Sequence, residues 1–143
     1  PHVDVYYIHK NIAGFGNRKS EYLLREFREQ EIREVIDDSN TKESNKNART
    51  QLKLPTEKQA RAVSMVLDFM YYTNETKQKL TAERSSNIFK LSELLEIHAL
   101  QKAIGEFYMR NLTLKNLGDF LTAATKAKAD KLVIISEQKN TKV

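Results

Sequence analysis

The sequence predicts an α+β fold that is mostly helical, and three observations predict it. Between residues 86 and 112 apolar side chains recur three and four apart. They fall at Ile88, Leu91 and Leu95, then at Leu100, Ala103, Ile104, Phe107 and Tyr108, which is the period of a helix. Residues 2–8 hold Val3, Val5, Tyr6, Tyr7 and Ile8, the β-branched and aromatic content of a strand. Gln51-Leu52-Lys53-Leu54 alternates polar and apolar, the pattern of a short half-buried strand. The two helical runs meet at Leu95-Glu96-Ile97, which leaves room only for a tight joint. They must pack side by side as an αα-hairpin. Each shows a wide apolar stripe, so other segments must cover its second face.

The remaining elements follow in chain order. Lys10 to Gly14 turns away from the first strand. Gly14-Phe15-Gly16-Asn17 is a break, because Gly and Asn tolerate left-handed backbone. Arg18-Lys19-Ser20 resembles the end of a phosphate-binding loop, but that motif needs glycine at the positions held by Arg18 and Ala13. Phosphate binding is therefore rejected there. Residues 20–27 carry Tyr22, Leu23, Leu24 and Phe27 and form a short amphipathic helix, which the charged residues 28–37 either extend or fray. Residues 38–49 are almost wholly polar and aperiodic, and are expected to form an exposed, mobile loop.

Pro55-Thr56-Glu57-Lys58-Gln59 announces a helix capped by Thr56, with Gln59 reaching back in a capping box. Its stripe is Ala60, Val63, Leu67, Met70 and Tyr71, and Thr73-Asn74-Glu75 ends it. Residues 77–80 are a further short extended piece. Thr81 caps the first helix of the hairpin. Thr113 caps a helix with the face Leu117, Phe120, Leu121 and Ala124. Asp130 caps a last short helix with Leu132, Val133, Ile134 and Ile135. Residues 136–143 form a fraying polar tail.

At 143 residues the chain is one domain of ordinary size, able to bury roughly 68–70% of its unfolded surface without a staple. It has no cysteine, hence no disulfide or thiolate site, and an intracellular, cytoplasmic or nuclear location is expected. No apolar run approaches the roughly 20 residues of a bilayer span, and no signal peptide opens the chain. The net charge is +5, which suggests nucleic acid until its distribution is examined. Residues 18–34 carry five basic and five acidic side chains, and residues 126–143 carry five lysines against Asp130 and Glu137. The lysines have no interleaved aromatics on which bases could stack, so a solvated tail is expected.

Nothing in the pattern suggests catalysis. No two histidines stand at metal-ligand spacing, and there is no Gly-x-Ser-x-Gly elbow. The carboxylates sit beside bases on solvated faces rather than in an apolar site. No cofactor, metal or catalytic residue is expected.

The order of parts resembles the BTB/POZ domain. The matching residues are Tyr6-Tyr7-Ile8 with His9-Lys10-x-Ile12, then Ser20-x-Tyr22-Leu23 and Phe27. Leu52-x-Leu54-Pro55, the run from Leu67 to Thr73, and the closing hairpin of residues 88–112 complete the set. Asn111-Leu112-Thr113-Leu114-x-Asn116 is similar to the start of a BACK-type extension. Two departures stand out. The family's Asp-Val strand should lie about a dozen residues before the His-Lys pair, yet Asp4-Val5 lies only five before His9, so that strand is expected to be missing from this chain or to lie before residue 1. Residues 28–50 also make a long loop for the family.

The resemblance implies a small mixed sheet flanked by helices, with a BTB/POZ domain over 1–112, a BACK-like extension over 113–135 and a tail over 136–143. It implies a protein-interaction module rather than an enzyme. Such domains form homodimers, and here Tyr22, Leu23, Phe27 and Phe15 would supply the contact. Many also bind a cullin scaffold as adaptors of ubiquitin ligases through a hydrophobic-x-acidic triplet. Ile32-Arg33-Glu34 fits that triplet, as does Val35-Ile36-Asp37, and Tyr72 matches a tyrosine near the cullin surface. His9 and Lys10 would be structural, although without the upstream aspartate a charged pocket at Lys10 is not expected. The competing expectations are a BTB oligomerisation module that binds no cullin, and a basic helical nucleic-acid-binding domain.

Overall fold

The computed structural model describes residues 3–37, 50–74, 77 and 79–141, with the side chains of 36, 37, 140 and 141 excepted. Among them are seven helices, and no strand. These are α1 (Lys10–Ala13), α2 (Glu21–Asp37), α3 (Glu57–Met70), α4 (Ala82–Leu94), α5 (His98–Asn111), α6 (Leu117–Lys126) and α7 (Asp130–Thr141).

The expected α+β class with a BTB-type mixed sheet is therefore corrected: the described chain is all-helical. Residues 3–9 and 50–54 are neither helix nor strand, and the described residues of 77–80 form no strand either. A sheet exists only through hydrogen bonds between segments, and no backbone bond between described residues joins 3–8 to 50–54. The polar loop expected at 38–49 lies outside the described residues. So do Pro1, His2, Glu75 and the last two positions of the tail. The rest of that tail continues α7 as helix to Thr141 rather than fraying from Ser136.

The hairpin forms where the periodicity places it. Thr81 Oγ1 accepts from Arg84 N at 3.2 Å and starts α4. The joint is Leu95-Glu96-Ile97, and Ile97 N donates to Ser92 O at 2.9 Å across it. α4 is the hub, packing against α3, α5 and α6, while α7 covers α5 and α6. Ile88, Leu91 and Leu95 of α4 and its joint meet Leu100, Ile104 and Tyr108 of α5 in one buried cluster. The same cluster takes in Phe120, Ala124 and Leu132, so residues beyond 112 share this core.

Three helix details differ from expectation. On α3 the fully buried positions are Gln59, Ala62, Val66 and Met70; of the expected stripe only Met70 is among them, while Val63, Leu67 and Tyr71 pack on the core half-buried. Thr56 Oγ1 does cap Gln59 N at 3.2 Å, but Gln59 turns inward, and its Oε1 is buried without a partner among the described residues. Thr113 does not cap α6 directly. It closes a turn with Asn116, whose Oδ1 accepts from Thr113 N at 2.7 Å, and Asn116 stands at the helix start.

Candidate functional site

The chain's candidate surface is built on α2, whose first half docks on the core and whose second half exposes Ile32 and Val35. Ser20 holds the near end. Its buried hydroxyl accepts from Leu23 N at 3.0 Å and donates to the carbonyl of Leu95 in the hairpin joint. Glu21 N donates to Glu96 O at 3.1 Å, so the helix N-terminus docks on the same joint. Arg25 pairs with Glu96 through two contacts. That hydrogen bond holds the Glu96 carboxyl below its usual range.

Leu23, Leu24 and Phe27 are buried, and Lys10 Nζ lies 5.5 Å from the centre of the Phe27 ring. Of the four residues expected at a dimer contact, Leu23 and Phe27 are thus covered by their own chain. Tyr22 is half-buried against the core, and Phe15 is exposed.

Beyond Phe27 the helix leaves the core. Ile32 is 60% and Val35 77% exposed, one turn apart on the same face. With Arg28 and Glu31 they line a shallow open groove. Glu34 is half-buried, and Arg33 pairs with Glu29 at 3.7 Å along the helix. In the second triplet, the side chains of Ile36 and Asp37 lie outside the described residues.

Tyr72 is exposed and stands in left-handed backbone, φ 56°, just past α3. The Arg18 guanidinium stacks on it at 3.8 Å and on Phe69 at 4.1 Å, and donates to Phe69 O at 2.8 Å. The sequence pattern raised Arg18 only to reject a phosphate loop. Its actual work is to clamp the end of α3, and the aromatics at Phe69 and Tyr72 were the available signal.

No family model, curated protein or solved structure matches the chain.

What the residues can do follows from their chemistry alone. His9 is exposed and structural in its contacts: its backbone N–H donates to Tyr71 Oη at 2.7 Å, and its Nδ1 lies 2.9 Å from the same hydroxyl. His98 opens α5 and is exposed. No group of three His, Asp or Glu among the described residues is placed to hold a metal. No helix among them is long and apolar enough to cross a membrane. The arrangement offers apolar side chains bordered by charge, which suits the recognition of another polypeptide.

Proposed function

We propose that the chain is a protein-interaction module that self-associates and recruits a second protein. The partner we assign to α2 and Tyr72 is a cullin scaffold, which would make the chain a substrate adaptor of a ubiquitin ligase. The ordered resemblance of about residues 5–112 to BTB/POZ sequences supports this reading, and so does the exposure of Ile32 and Tyr72, two of the residues that the resemblance assigns to a cullin contact. The observation that carries it is the exposed apolar pair in the second half of α2. Ile32 and Val35 stand in solvent on a helix whose first half is buried. Apolar side chains gathered on one exposed helical face are the usual anchors of a helix-recognising partner, and one desolvated anchor contributes about 2 kcal/mol or more. The location that fits is the cytoplasm or nucleus, in keeping with a chain without cysteine.

The test is calorimetric titration of the purified chain with the N-terminal domain of a cullin, alongside light scattering of the chain alone. A complex that weakens at least tenfold in Ile32→Glu supports the reading. No complex at tens of micromolar, with the chain still self-associating, reduces it to an oligomerisation module. A monomer that binds no cullin ends it.

A further inference from the structure

We propose that a basic corner formed by Arg84, Lys126, Lys128 and Lys131 is a docking surface for the phosphate backbone of a nucleic-acid duplex. This goes beyond the reading of the chain as a protein-interaction module, and it uses neither α2 nor Tyr72.

The corner is assembled by the fold from segments far apart in the chain. α4 packs against α6, and α6 against α7. Glu83, in the first turn of α4, takes a hydrogen bond from Lys58, and the charges of Lys58, Lys126 and Arg84 hold its carboxyl below the usual range. The end of α6 therefore lies beside the start of α4. Lys128 follows in the turn to α7, and Lys131 in the first turn of that helix. Arg84 is steadied by a hydrogen bond to Lys79 O at 2.7 Å.

All four cations are exposed, and none forms an ion pair among the described residues. Of the carboxylates on residues 82–84 and 126–131, Glu83 is taken up by Lys58 at 2.6 Å. That leaves Asp130 against four positive charges. Lys128 adds a second observation. It stands in left-handed backbone, φ 58°, where glycine is favoured and a side chain strains the chain. Such strain at an exposed cation points to a use in binding.

The surroundings select the partner. Lysine meets phosphate as a point charge, and phosphate contacts hold a duplex without reading its bases. The large aromatic side chains exposed among the described residues are Tyr6, Tyr7, Phe15 and Tyr72. None lies on α4, α6 or α7, so unpaired bases would find no platform to stack on. Ile134 is the only large apolar side chain exposed on the described parts of α6 and α7, too little to seat the corner in a membrane surface. A duplex, with its bases already stacked and its phosphates outward, fits what remains.

The experiment is fluorescence anisotropy of a short labelled DNA duplex with the full chain. The expected binding falls roughly a hundredfold between about 50 and 200 mM salt, as counterion release by four cations requires. Lys128→Gly should melt at a higher temperature yet bind several-fold more weakly, with the salt slope smaller by about 1. Combining it with Lys126→Ala and Lys131→Ala should abolish binding. A control with Lys53→Ala, Lys102→Ala and Lys115→Ala loses the same charge elsewhere on the exposed surface and should keep most of it. Binding lost equally in the control is attraction to net charge and overturns the proposal, as does a Lys128→Gly chain that binds as well as the original. No binding at the lowest salt overturns it too. So does equal or tighter binding to a single strand, to polyglutamate, or to vesicles of phosphatidylcholine and phosphatidylserine.

Discussion

Lys128 shows how a single residue sets the end of a helix here. It has φ 58°, its N–H donates to Thr125 O at 3.1 Å, and the next N–H, of Ala129, donates to Ala124 O at 2.9 Å. Those two bonds define a Schellman cap with Lys128 at the left-handed position, where glycine is favoured. Lys128→Gly is expected to stabilise the chain by about 1 kcal/mol by relieving that backbone, read as a rise in thermal midpoint. Tyr72 and Glu96 hold the same position after α3 and α4. These ends were not legible in the sequence because the glycine that marks such a cap is missing from all three. The described structure has no glycine at positive φ. Gly16 matters for space instead, since a Cβ there would lie 2.9 Å from Ile12 O. Tyr108 carries the second prediction at this scale. It is fully buried, its hydroxyl set against Ser86 Oγ, and burial raises its pKa above the ordinary 10.0. Ionisation is then harder in the folded chain than in the unfolded one. The group's contribution is intact below pH 10.0 and is lost as pH rises through the folded value. Tyr108→Phe should cost about 1 kcal/mol at neutral pH and flatten the fall in stability above pH 10. Urea melts on either side of that pH check both.

At the scale of elements, the contrast between α2 and the extended segments explains what the sequence could reveal. The periodic runs of α4 and α5 were legible because helix hydrogen bonds are local, and a 3.6 period needs no knowledge of the rest of the chain. A strand depends on a partner elsewhere, so the β-branched content of residues 3–8 suggested a strand without supplying the partner that a sheet needs. On α3 the expected stripe caught Met70 and the half-buried Val63, Leu67 and Tyr71 but not the centre of the face, because Gln59, a polar residue, turns inward with Ala62 and Val66. α4 hides its character in a similar way. Ser85, Ser86 and Ser92 are buried on it, and each returns its hydroxyl to a carbonyl in the preceding turn, as Ser92 Oγ does to Phe89 O at 2.6 Å. Such serines satisfy themselves locally and pass as core residues. The triplet Ile32-Arg33-Glu34 stood out in the sequence, but the division of α2 into a docked first half and a half that exposes Ile32 and Val35 did not. That division depends on Ser20, which both caps α2 and reaches Leu95 O. Ser20→Ala removes the cap and leaves a buried carbonyl without this donor. A loss of about 1–2 kcal/mol is expected, with amide exchange accelerating over residues 21–27 and the hairpin joint while α6 and α7 stay protected.

For the molecule as a whole, the open issue is whether residues 113–141 are an appendage or part of the core, and the packing argues for the core. Phe120 lies edge-on to Tyr108 at 4.8 Å and beside Phe107 at 6.1 Å, and its carbonyl lies 3.4 Å from the Tyr108 hydroxyl. Ala124, Ala129 and Leu132 are fully buried in the same cluster as Leu91 and Leu100. Ending the chain at Leu112 would strip these groups from α4 and α5 and bring the buried Tyr108 and Ile104 toward water. Each large apolar side chain so uncovered costs about 1.5–3 kcal/mol, and a whole domain is stable by only about 5–15 kcal/mol. A chain of residues 1–112 is therefore expected to keep some helical circular dichroism but lose its sharp thermal transition and bind a hydrophobic dye. In the full chain Phe120→Ala should cost about 3–5 kcal/mol and lower one common midpoint for probes placed in α3 and in α7. Two separate transitions, or an unchanged melt for residues 1–112, would instead mean that the C-terminal helices fold on their own, and that the exposed segments at residues 3–9 and α2 belong to a smaller unit that is stable without them.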